Sequence, residues 1–522
     1  MSETTTTQRH RATAPWWTGV LSGVLSAVTA VALGSGLATL LGVPTPIESI
    51  GNRAIDMAPR PLKEQAIEWF GTADKPVLIG GVVATLLVLA GVAGWLGLRR
   101  RGLALGVTAA LGLLALVAAA LDRTSTSSVV VTVLPALLTL AVAVALLGFF
   151  LRVLELAPKV GDETPAGFDR RAFLQTVLGA SAAIVLGGAV TRFLGSSAGR
   201  ESRAAINLPQ PSDPAPAVPR GAAVDLDGVS PYITPNQDFY RIDTALRVPS
   251  VDAETWSLRI HGMVDEELTL SFEDLLKERL VERRITMTCV SNEVGGPYVG
   301  NAAWLGVPVR ELLARAGVQD GADAVKTTSA DDMTIGTPLG ALTDENRDAL
   351  IAIGMNGEPL PLEHGFPVRM VVPGLYGYVS ATKWLVDLEV TRFADFKAYW
   401  TTRGYDAEAP IKLSSRIDVP SSFQEFSADN VRFGGVAWAQ NTGIERVEVK
   451  IDDGPWDDVE LAAQDSIDTW RQWTYRWDEA TSGNHTVTVR ATDADGTTQT
   501  SDRAPIAPDG STGWHSVSFR VE

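Results

Sequence analysis

The sequence is poor in the residues that build most metal and redox sites. Its 522 residues include one cysteine, Cys289, and five histidines. A single thiol excludes an intrachain disulfide, a cysteine-rich zinc or iron–sulfur site and a C-x-x-C-H haem attachment. Cys289 is therefore either an inert buried side chain or a group with a specific chemical task.

Positive charge is also scarce. The chain has 44 Lys and Arg residues against 61 Asp and Glu residues, which gives a formal net charge of −17. A protein that follows a phosphate backbone needs an excess of basic side chains. The composition therefore argues against nucleic acid as a partner.

Charge is nearly absent from five long stretches of the N-terminal part. About 20 apolar helical residues are enough to cross a bilayer, and buried helices of a soluble bundle would show a polar stripe instead. No histidine lies between residues 16 and 194, which argues against a haem at membrane depth. We therefore predict an all-α membrane region, 1–194, with five spans at Trp16–Val43, Pro76–Leu98, Gly102–Leu121, Ser128–Leu151 and Ala172–Leu194.

Basic residues cluster in alternate loops between these spans. They occur at Arg9 and Arg11, at Arg99–Arg101 and between Arg152 and Arg171. Because cytoplasmic loops carry the Lys and Arg excess, we expect everything after the fifth span to lie outside the cell membrane. The pair Arg170–Arg171 also resembles a twin-arginine export signal, although the charge bias alone would place basic residues there.

Beyond the last span the composition changes to that of a globular protein. Residues 195–230 are rich in Pro, Ser and Ala, which predicts an extended linker. Between residues 231 and 410 strand and helix patterns alternate, which predicts an α+β domain. The individual elements are a strand at 256–261, a helix with a serine cap at Ser271–Leu280, a strand at Arg284–Val290 and a helix at Val309–Ala316 ended by Gly317.

The remaining residues, 411–522, show only strand patterns. Short strands separated by turn sequences at this spacing are typical of an immunoglobulin-like sandwich. The five strands are predicted at Val431–Ala439, Ile444–Ile451, Trp470–Trp477, His485–Ala491 and Trp514–Val521. The fold class is thus multidomain: a helical membrane bundle, an α+β domain and an all-β sandwich.

The cysteine follows the β-branched segment Ile285-Thr-Met-Thr and precedes a glycine-rich loop, Gly295–Trp304. A thiol at the end of a strand can point into a cleft and ligate a soft metal once it is deprotonated. A lone cysteine is equally compatible with a small buried apolar side chain.

A long block further along the chain gives a more specific signal. The block Met355–Gly374 contains His364-Gly-Phe-Pro-Val-Arg369 and is followed by Ala381-Thr-Lys383-Trp384. It resembles the molybdopterin-binding segment of the sulfite oxidase family. Residues Thr234–Arg241 and the cysteine segment precede it in the family's order, and Gly434–Trp438 with Ile444–Val449 resembles the family's C-terminal dimerisation domain. The resemblance spans residues 231–522.

This resemblance implies a Mo-molybdopterin cofactor, with no haem, iron–sulfur cluster or zinc. Cys289 would be the molybdenum ligand, and Tyr405 and Arg241 would be the further catalytic residues. A pterin phosphate needs cationic donors, which Arg369 and Lys383 would supply. The residues implied to contact the cofactor are Phe239, Tyr240, Arg241, one of Asp331 and Asp332, His364, Arg369, Ala381, Thr382 and Lys383.

The resemblance also implies partners. Because the haem domain of the eukaryotic enzymes is absent, electrons would pass to or from a separate carrier, either a cytochrome or a quinone-linked membrane protein. The C-terminal domain would mediate a homodimer. The substrate would be a small molecule or a sulfoxide.

The chain departs from the family around the substrate. Sulfite oxidases follow the ligand cysteine with Ala-Gly-Asn-Arg-Arg, whereas Cys289 is followed by Val-Ser-Asn292-Glu293, and Ile506–Trp514 has no arginine. A desolvated sulfite ion needs paired positive charge. The leading hypothesis is oxygen-atom transfer of the sulfite oxidase kind outside the membrane; the alternatives are a sulfoxide or N-oxide reductase and a non-enzymatic, membrane-anchored binding module.

Overall fold

A computed structural model describes residues 14–59, 62, 65, 69–70, 74–125, 128–155, 170–194 and 197–522. The chain divides into two compact units. The first extends to Ser197 and includes Ala245–Arg247, and the second consists of Ala198–Thr244 and Val248–Glu522.

The first unit is helical. Its helices are α1 (Trp16–Leu41), α2 (Pro46–Met57), α3 (Asp74–Gly97), α4 (Arg101–Ala120), α5 (Val129–Glu155) and α6 (Arg170–Leu194). All except α2 are long and apolar enough to cross a membrane, which confirms the five predicted apolar helices. The pair Arg170–Arg171 begins α6, whereas Arg9 and Arg11 lie outside the described residues.

Small residues allow α1 to approach its neighbours closely. A Cβ added to Gly23 would lie 1.9 Å from the carbonyl oxygen of Ala90 on α3, and one added to Gly187 on α6 would lie 2.4 Å from that of Ala32. Close backbone contact at small residues is how helices associate in lipid, where burial of apolar area gives little driving force. The pattern is therefore the one expected of a membrane bundle.

The second unit begins with helix α7 (Ser197–Ala205), which is followed by one mixed sheet and one antiparallel sheet. The first has the order β2-β1-β10-β5-β6, in which only β1 and β10 are parallel; the second has the order β3-β4-β7-β8, with β9 also paired to β7. The strands are β1 (Ser257–Gly262), β2 (Leu268–Ser271), β3 (Val281–Thr288), β4 (Val299–Pro308), β5 (Ala324–Ser329), β6 (Thr334–Pro338), β7 (Leu350–Met355), β8 (Glu358–Pro359), β9 (Arg369–Val371) and β10 (Leu385–Thr391).

Short helices connect these strands where the sequence provides caps. Helix α8 (Phe272–Lys277) begins after Ser271, whose hydroxyl accepts from the Asp274 amide while the Asp274 carboxylate accepts from Ser271. Helix α9 (Val309–Ala316) ends at Gly317 in a left-handed conformation, as expected for a C-terminal glycine. Helix α10 (Leu339–Thr343) follows β6.

The rest of the unit is all β. A four-stranded sheet, β11-β13-β17-β16, and a five-stranded sheet, β12-β19-β18-β14-β15, share an apolar core that includes Phe433, Trp473, Val487 and Phe519. The strands are β11 (Ser414–Val419), β12 (Glu425–Phe426), β13 (Arg432–Trp438), β14 (Ile444–Ile451), β15 (Trp456–Asp458), β16 (Glu460–Leu461), β17 (Arg471–Arg476), β18 (Gly483–Asp493) and β19 (His515–Val521).

The all-β part has nine strands where five were predicted, and two further segments differ from the sequence predictions. The segment 195–230, predicted as an extended linker, contains α7, and its residue Asp213 pairs with Val281 at the edge of β3. The loop predicted at Gly295–Trp304 is mostly strand β4. Glycine and alanine in β4 allow other groups to approach, because a Cβ on Gly300 would lie 2.8 Å from the Phe239 ring.

The β3 strand that leads to the cysteine is also held by the all-β part. Thr286 donates its amide to the Asp468 carbonyl (2.9 Å), and its carbonyl accepts from Gln440 Nε2 (3.0 Å). The Thr286 hydroxyl accepts from the Trp470 amide (2.7 Å). An otherwise open strand edge is thus closed by hydrogen bonds from the β domain.

The buried Asp468 carboxyl makes the stability of the protein depend on pH. Burial, with a smaller contribution from Asp348, raises the pKa of its carboxyl to about 6 from 3.8. The folded state therefore binds the proton more tightly, and this contribution to stability is present below about pH 4 and lost as the pH rises through 6. We expect Asp468→Asn, which keeps the acceptor for the Asn441 amide, to stabilise the protein by roughly 1 to 3 kcal/mol at pH 7.5 and by almost nothing at pH 4.

Denaturant unfolding of the detergent-solubilised protein at the two pH values measures this difference. The matched control is Asp478→Asn, because Asp478 is an exposed carboxylate of the same domain, paired with Arg476. A stabilisation of Asp468→Asn that is equal at both pH values would contradict the assignment.

Candidate functional site

One cavity in the second unit brings together most of the predicted site residues. It is lined mainly by the loops that follow β3, β5 and β9, by the segment 239–244 and by the segment that leads to β11. The predicted residues on its wall are Phe239, Tyr240, Cys289, Asp331, His364, Arg369, Ala381, Thr382, Lys383 and Tyr405.

Two predicted residues do not line this cavity. Arg241 is 38% exposed and is bound to Asp243, which does line the cavity. Asp332 is exposed and adopts a positive φ of 58° in the turn after β5. Of the two candidate aspartates, the structure therefore places Asp331 at the cavity and Asp332 outside it.

Cys289 lies immediately after the last residue of β3. Its amide donates to the Tyr298 carbonyl (3.0 Å), which extends the pairing of β3 with β4 by one residue. Its carbonyl accepts from the Asn292 amide (3.0 Å), and the Asn292 side chain accepts from the Tyr298 amide (2.7 Å), which closes the loop. Burial raises the pKa of the Cys289 thiol, so the side chain is a neutral thiol at neutral pH and would have to lose its proton to bind a metal.

Arg369 is a buried cation with no acidic partner among the described residues. Its Nη1 donates to the His364 carbonyl (3.0 Å), its guanidinium lies 5.0 Å from the centre of the Trp304 ring, and its Nε has no hydrogen-bond partner. Burial lowers its pKa to about 10. An unsatisfied donor on a buried charge costs free energy, so this side chain is suited to binding an anionic group in the cavity.

Gly365 allows Arg369 and Lys383 to lie side by side. Its φ of +111° is in the region that favours glycine, and a Cβ would lie 3.1 Å from the Cβ atoms of both residues. The short helical turn Leu362–His364 ends at this glycine. The His–Gly–Phe–Pro–Val–Arg motif thus has a steric reason for its glycine.

Lys383 is 10% exposed and forms an ion pair with Asp243. Its Nζ lies 2.8 Å from Asp243 Oδ2 and 3.1 Å from the Glu363 carbonyl oxygen. Burial lowers its pKa to about 8, and Asp243 opposes that effect. Asp243 itself is 3% exposed, and the same Oδ2 atom also accepts from Arg241 Nε (2.9 Å).

His364 is held as a neutral imidazole. Burial, followed by the charge of Arg369, lowers its pKa to about 4. Its Nε2 lies 2.9 Å from the Asn236 carbonyl oxygen and must therefore carry the hydrogen, which leaves Nδ1 as an acceptor. Phe239 packs edge-on against the His364 ring (5.6 Å between ring centres) and stacks on Tyr240 (5.1 Å).

Aromatic rings form another part of the wall. The Tyr405 ring centre lies 5.5 Å from those of Tyr378 and Trp400, and the Tyr378 hydroxyl donates to the Asp406 carbonyl (2.7 Å). Tyr405 is buried. This part of the lining offers apolar faces rather than charges.

The all-β part supports the loop that follows Cys289. Ser511 Oγ donates to the Asn292 carbonyl (2.7 Å), and Arg416 Nη1 donates to that of Gly296 (3.0 Å). A Cβ on Gly295 would lie 2.3 Å from the His515 ring. The second domain thus contacts the cysteine loop directly, although none of these residues lines the cavity.

Sequence reasoning missed several lining residues, of which Asp243, Tyr378 and Trp400 have the clearest contacts. Asp243 stands two positions after Arg241, just beyond the motif Thr234–Arg241. Its signal is that it is the single acid between Arg241 and Arg247. Tyr378 and Trp400 have no sequence feature that separates them from ordinary core aromatics.

The lining fits a molybdopterin cofactor. The buried, unpaired guanidinium of Arg369 suits a phosphate, His364 and the backbone near Thr382 suit the ring system, and a single thiol is present for the metal. Within the described ranges, no group of three or more His, Cys, Asp and Glu side chains is arranged to hold a metal ion.

Comparisons with known proteins agree with this chemistry. A family model for the oxidoreductase molybdopterin binding domain matches residues 245–400. Mitochondrial sulfite oxidase of Mus musculus is 30% identical over 289 residues, 46% of this chain and 52% of that protein. The uncharacterized oxidoreductase YuiH of Bacillus subtilis is 33% identical over 177 residues, 33% of this chain and 85% of that protein.

Among solved structures, the sulfane dehydrogenase SoxCD from Paracoccus pantotrophus aligns with 57% of this chain and 85% of its own, with 24% sequence identity and a TM-score of 0.49. The chain spans about half the length of the mitochondrial sulfite oxidases that it matches. It belongs to the sulfite oxidase family of molybdopterin-binding oxidoreductases.

Proposed function

We propose that this protein is a molybdenum-cofactor enzyme that transfers an oxygen atom to or from a small substrate. The observation that carries the proposal is that Arg369, a buried guanidinium without a counter-ion in the part of the chain that the structure describes, lies in the same cavity as Cys289, the single cysteine of the sequence. When bound, the cofactor supplies the oxygen-atom transfer and the two-electron redox change. A non-enzymatic binding module would not need this pair of groups.

The residues of the chain have separate tasks in this proposal. Cys289 holds the metal as a thiolate and releases its proton on binding. Arg369 and Lys383 bind the phosphate, and neutral His364 and Asp331 orient the pterin. The Tyr405 phenol can donate a hydrogen bond to substrate oxygen. Tyr378 and Trp400 exclude water from that part of the cavity.

The charges of the lining decide between substrate classes. The described wall carries two cations, Arg369 and Lys383, and two carboxylates, Asp243 and Asp331. An anionic cofactor would use the available positive charge and leave none for a sulfite ion, whose desolvation needs it. A neutral sulfoxide or N-oxide is therefore favoured over sulfite, although sulfite is the substrate that the names of the mitochondrial relatives imply.

Glu293 lies outside the site. Its side chain is exposed and does not line the cavity, and residues 506–514 do not line it either. The sequence departures next to Cys289 therefore do not bring a repelling carboxylate to the site. The preference for a neutral substrate follows from the balance of the lining charges.

Assays of the cofactor-loaded protein test the substrate class. We expect reduction of dimethyl sulfoxide and N-acetylmethionine sulfoxide by reduced viologen to exceed oxidation of sulfite by ferricyanide by at least about tenfold in kcat/KM, which corresponds to about 1.4 kcal/mol. A faster reaction with sulfite would overturn the neutral-substrate assignment while leaving the enzyme class intact.

We further propose that the catalytic unit lies outside the cell membrane. The distribution of basic residues between the apolar helices supports this topology, and Arg170–Arg171 at the start of α6 suits export by the twin-arginine route. Replacing both arginines with lysine is expected to leave the unit in the cytoplasm, protected from protease added to spheroplasts. Unchanged digestion of the variant would refute export by this route.

The remaining partners follow from the same proposal. The electron carrier would be a separate cytochrome or a quinone-linked membrane protein. The all-β domain would be immunoglobulin-like and would form a homodimer, which sedimentation of the detergent-solubilised protein would reveal. A monomer at micromolar concentration would contradict the dimer.

A further inference from the structure

Lys383 is buried in the cavity, and its ammonium group is paired with a protein acid. A lysine held in a nearly dry site tends to lose its proton, because burial penalises the charged form. The described groups that face Lys383 are the Asp243 carboxylate, the Glu363 carbonyl and the Trp384 ring, and it also interacts electrostatically with the Cys289 thiol and the positive charges of Arg241 and Arg369. Among them Asp243 is the one that supplies negative charge.

The Asp243 carboxylate contacts one cation inside the cavity and one outside it. One oxygen, Oδ2, is 2.8 Å from Lys383 Nζ inside the cavity and 2.9 Å from Arg241 Nε outside it. The carboxylate is almost fully buried. A buried acid that contacts two cations fixes the positions of both, and removing it would leave a buried lysine without a counter-ion.

Arg369 differs from Lys383 in its pairing. It has no described carboxylate partner, and its Nε makes no hydrogen bond. The cavity therefore holds one cation that is already paired with a protein acid and one that is not. The unpaired cation is ready for a ligand anion, whereas the paired one needs its acid to stay charged and aimed at the cavity.

We propose that Asp243 is a positioning residue of the cofactor cleft, which keeps Lys383 charged and directed at the anionic part of the cofactor and holds Arg241 at the rim. The inference rests on the proposed function, because it concerns the same cleft. Asp243 acts through Lys383 and need not touch the cofactor or the substrate.

Four variants test this role by cofactor retention rather than by activity. The full-length protein is produced in a cofactor-competent host, dialysed, and assayed for pterin by fluorescence of the oxidised cofactor. Loss of one charge-assisted contact predicts that Asp243→Asn retains about tenfold less cofactor than the wild type. Asp243→Glu, which keeps the charge, should recover much of that loss.

The double-mutant cycle with Lys383→Arg separates this role from a structural one. Arginine stays protonated without a carboxylate partner, so Asp243→Asn should cost much less retention in the Lys383→Arg background than in the wild type. A purely structural aspartate would cost the same in both. The matched control is Asp387→Asn, which removes an acid paired with His261 and does not line the cavity; its retention should equal that of the wild type.

The outcomes are distinguishable. If the wild type and the Asp243→Asn variant retain equal amounts of pterin, the positioning role alone is overturned. The same holds if Asp243→Asn lowers pterin retention equally in the Lys383 and Lys383→Arg backgrounds. A wild type that holds no pterin would overturn the proposed function and this inference with it.

Discussion

Cys289→Ser is expected to lower turnover by roughly 10³-fold or more, which corresponds to at least about 4 kcal/mol of transition-state stabilisation. The serine hydroxyl is not a soft anionic ligand, and the thiolate has no substitute because the chain contains no other cysteine. The fold should survive, since the loop around Cys289 is closed by backbone groups and by Asn292. Steady-state assays and thermal unfolding measure the two effects.

Thr288→Val is the matched control for this variant. Thr288 is the neighbour of Cys289 in the chain, is buried, does not line the cavity, and its hydroxyl has no hydrogen-bond partner. Replacing such a hydroxyl with a methyl group of the same shape should be neutral or slightly stabilising and should leave turnover unchanged. Cys289→Ser with wild-type activity would remove Cys289 from the mechanism.

Arg369→Met is expected to change stability and cofactor binding in opposite directions. The cofactor-free protein keeps a buried guanidinium charged at a cost, so the variant should be more stable by roughly 1 to 3 kcal/mol. Its flexible thioether can fill the space over the Trp304 ring. Cofactor retention should fall by about 100-fold, because the variant lacks a cationic donor that would bind the phosphate.

The comparison variant is Arg416→Met. Arg416 is buried to a similar degree but is paired with Asp418 at 2.7 Å. Its removal leaves a buried carboxylate uncompensated and should destabilise the protein by about 3 kcal/mol. If the cofactor-free Arg369→Met protein were destabilised to the same extent, the cavity would not be prepared for an anion.

The sequence patterns predicted the elements that have strong local signals. Helix α9 and strand β14 have the predicted bounds, because α9 ends at a glycine and β14 alternates sharply between apolar and polar residues. The five apolar helices were predicted from length and composition alone, because about 20 consecutive apolar residues are enough for a helix to cross a bilayer. Strand β4 was missed because Gly300, Asn301 and two alanines weaken its strand pattern, and its pairing with β3 and β7 overrides that composition.

The site was predictable only where the motif residues lie close together in the chain. The motif that contains His364 and Arg369 predicted residues that form one wall of the cavity. Asp243 was not predictable, because its place in the site depends on an ion pair with Lys383, which lies 140 positions away in the sequence. The support that Ser511 gives to the cysteine loop likewise spans 219 positions, and no local pattern records such a contact.

The measurement that tests the central claim most directly is the molybdenum and pterin content of the purified protein, wild type beside Cys289→Ala. Elemental analysis and fluorescence of the oxidised cofactor should give near-stoichiometric metal and pterin in the wild type. The variant should keep the pterin, which Arg369 and Lys383 are proposed to bind, and lose most of the metal. A wild type from a cofactor-competent host that contains neither would contradict the assignment of this cavity to the molybdenum cofactor.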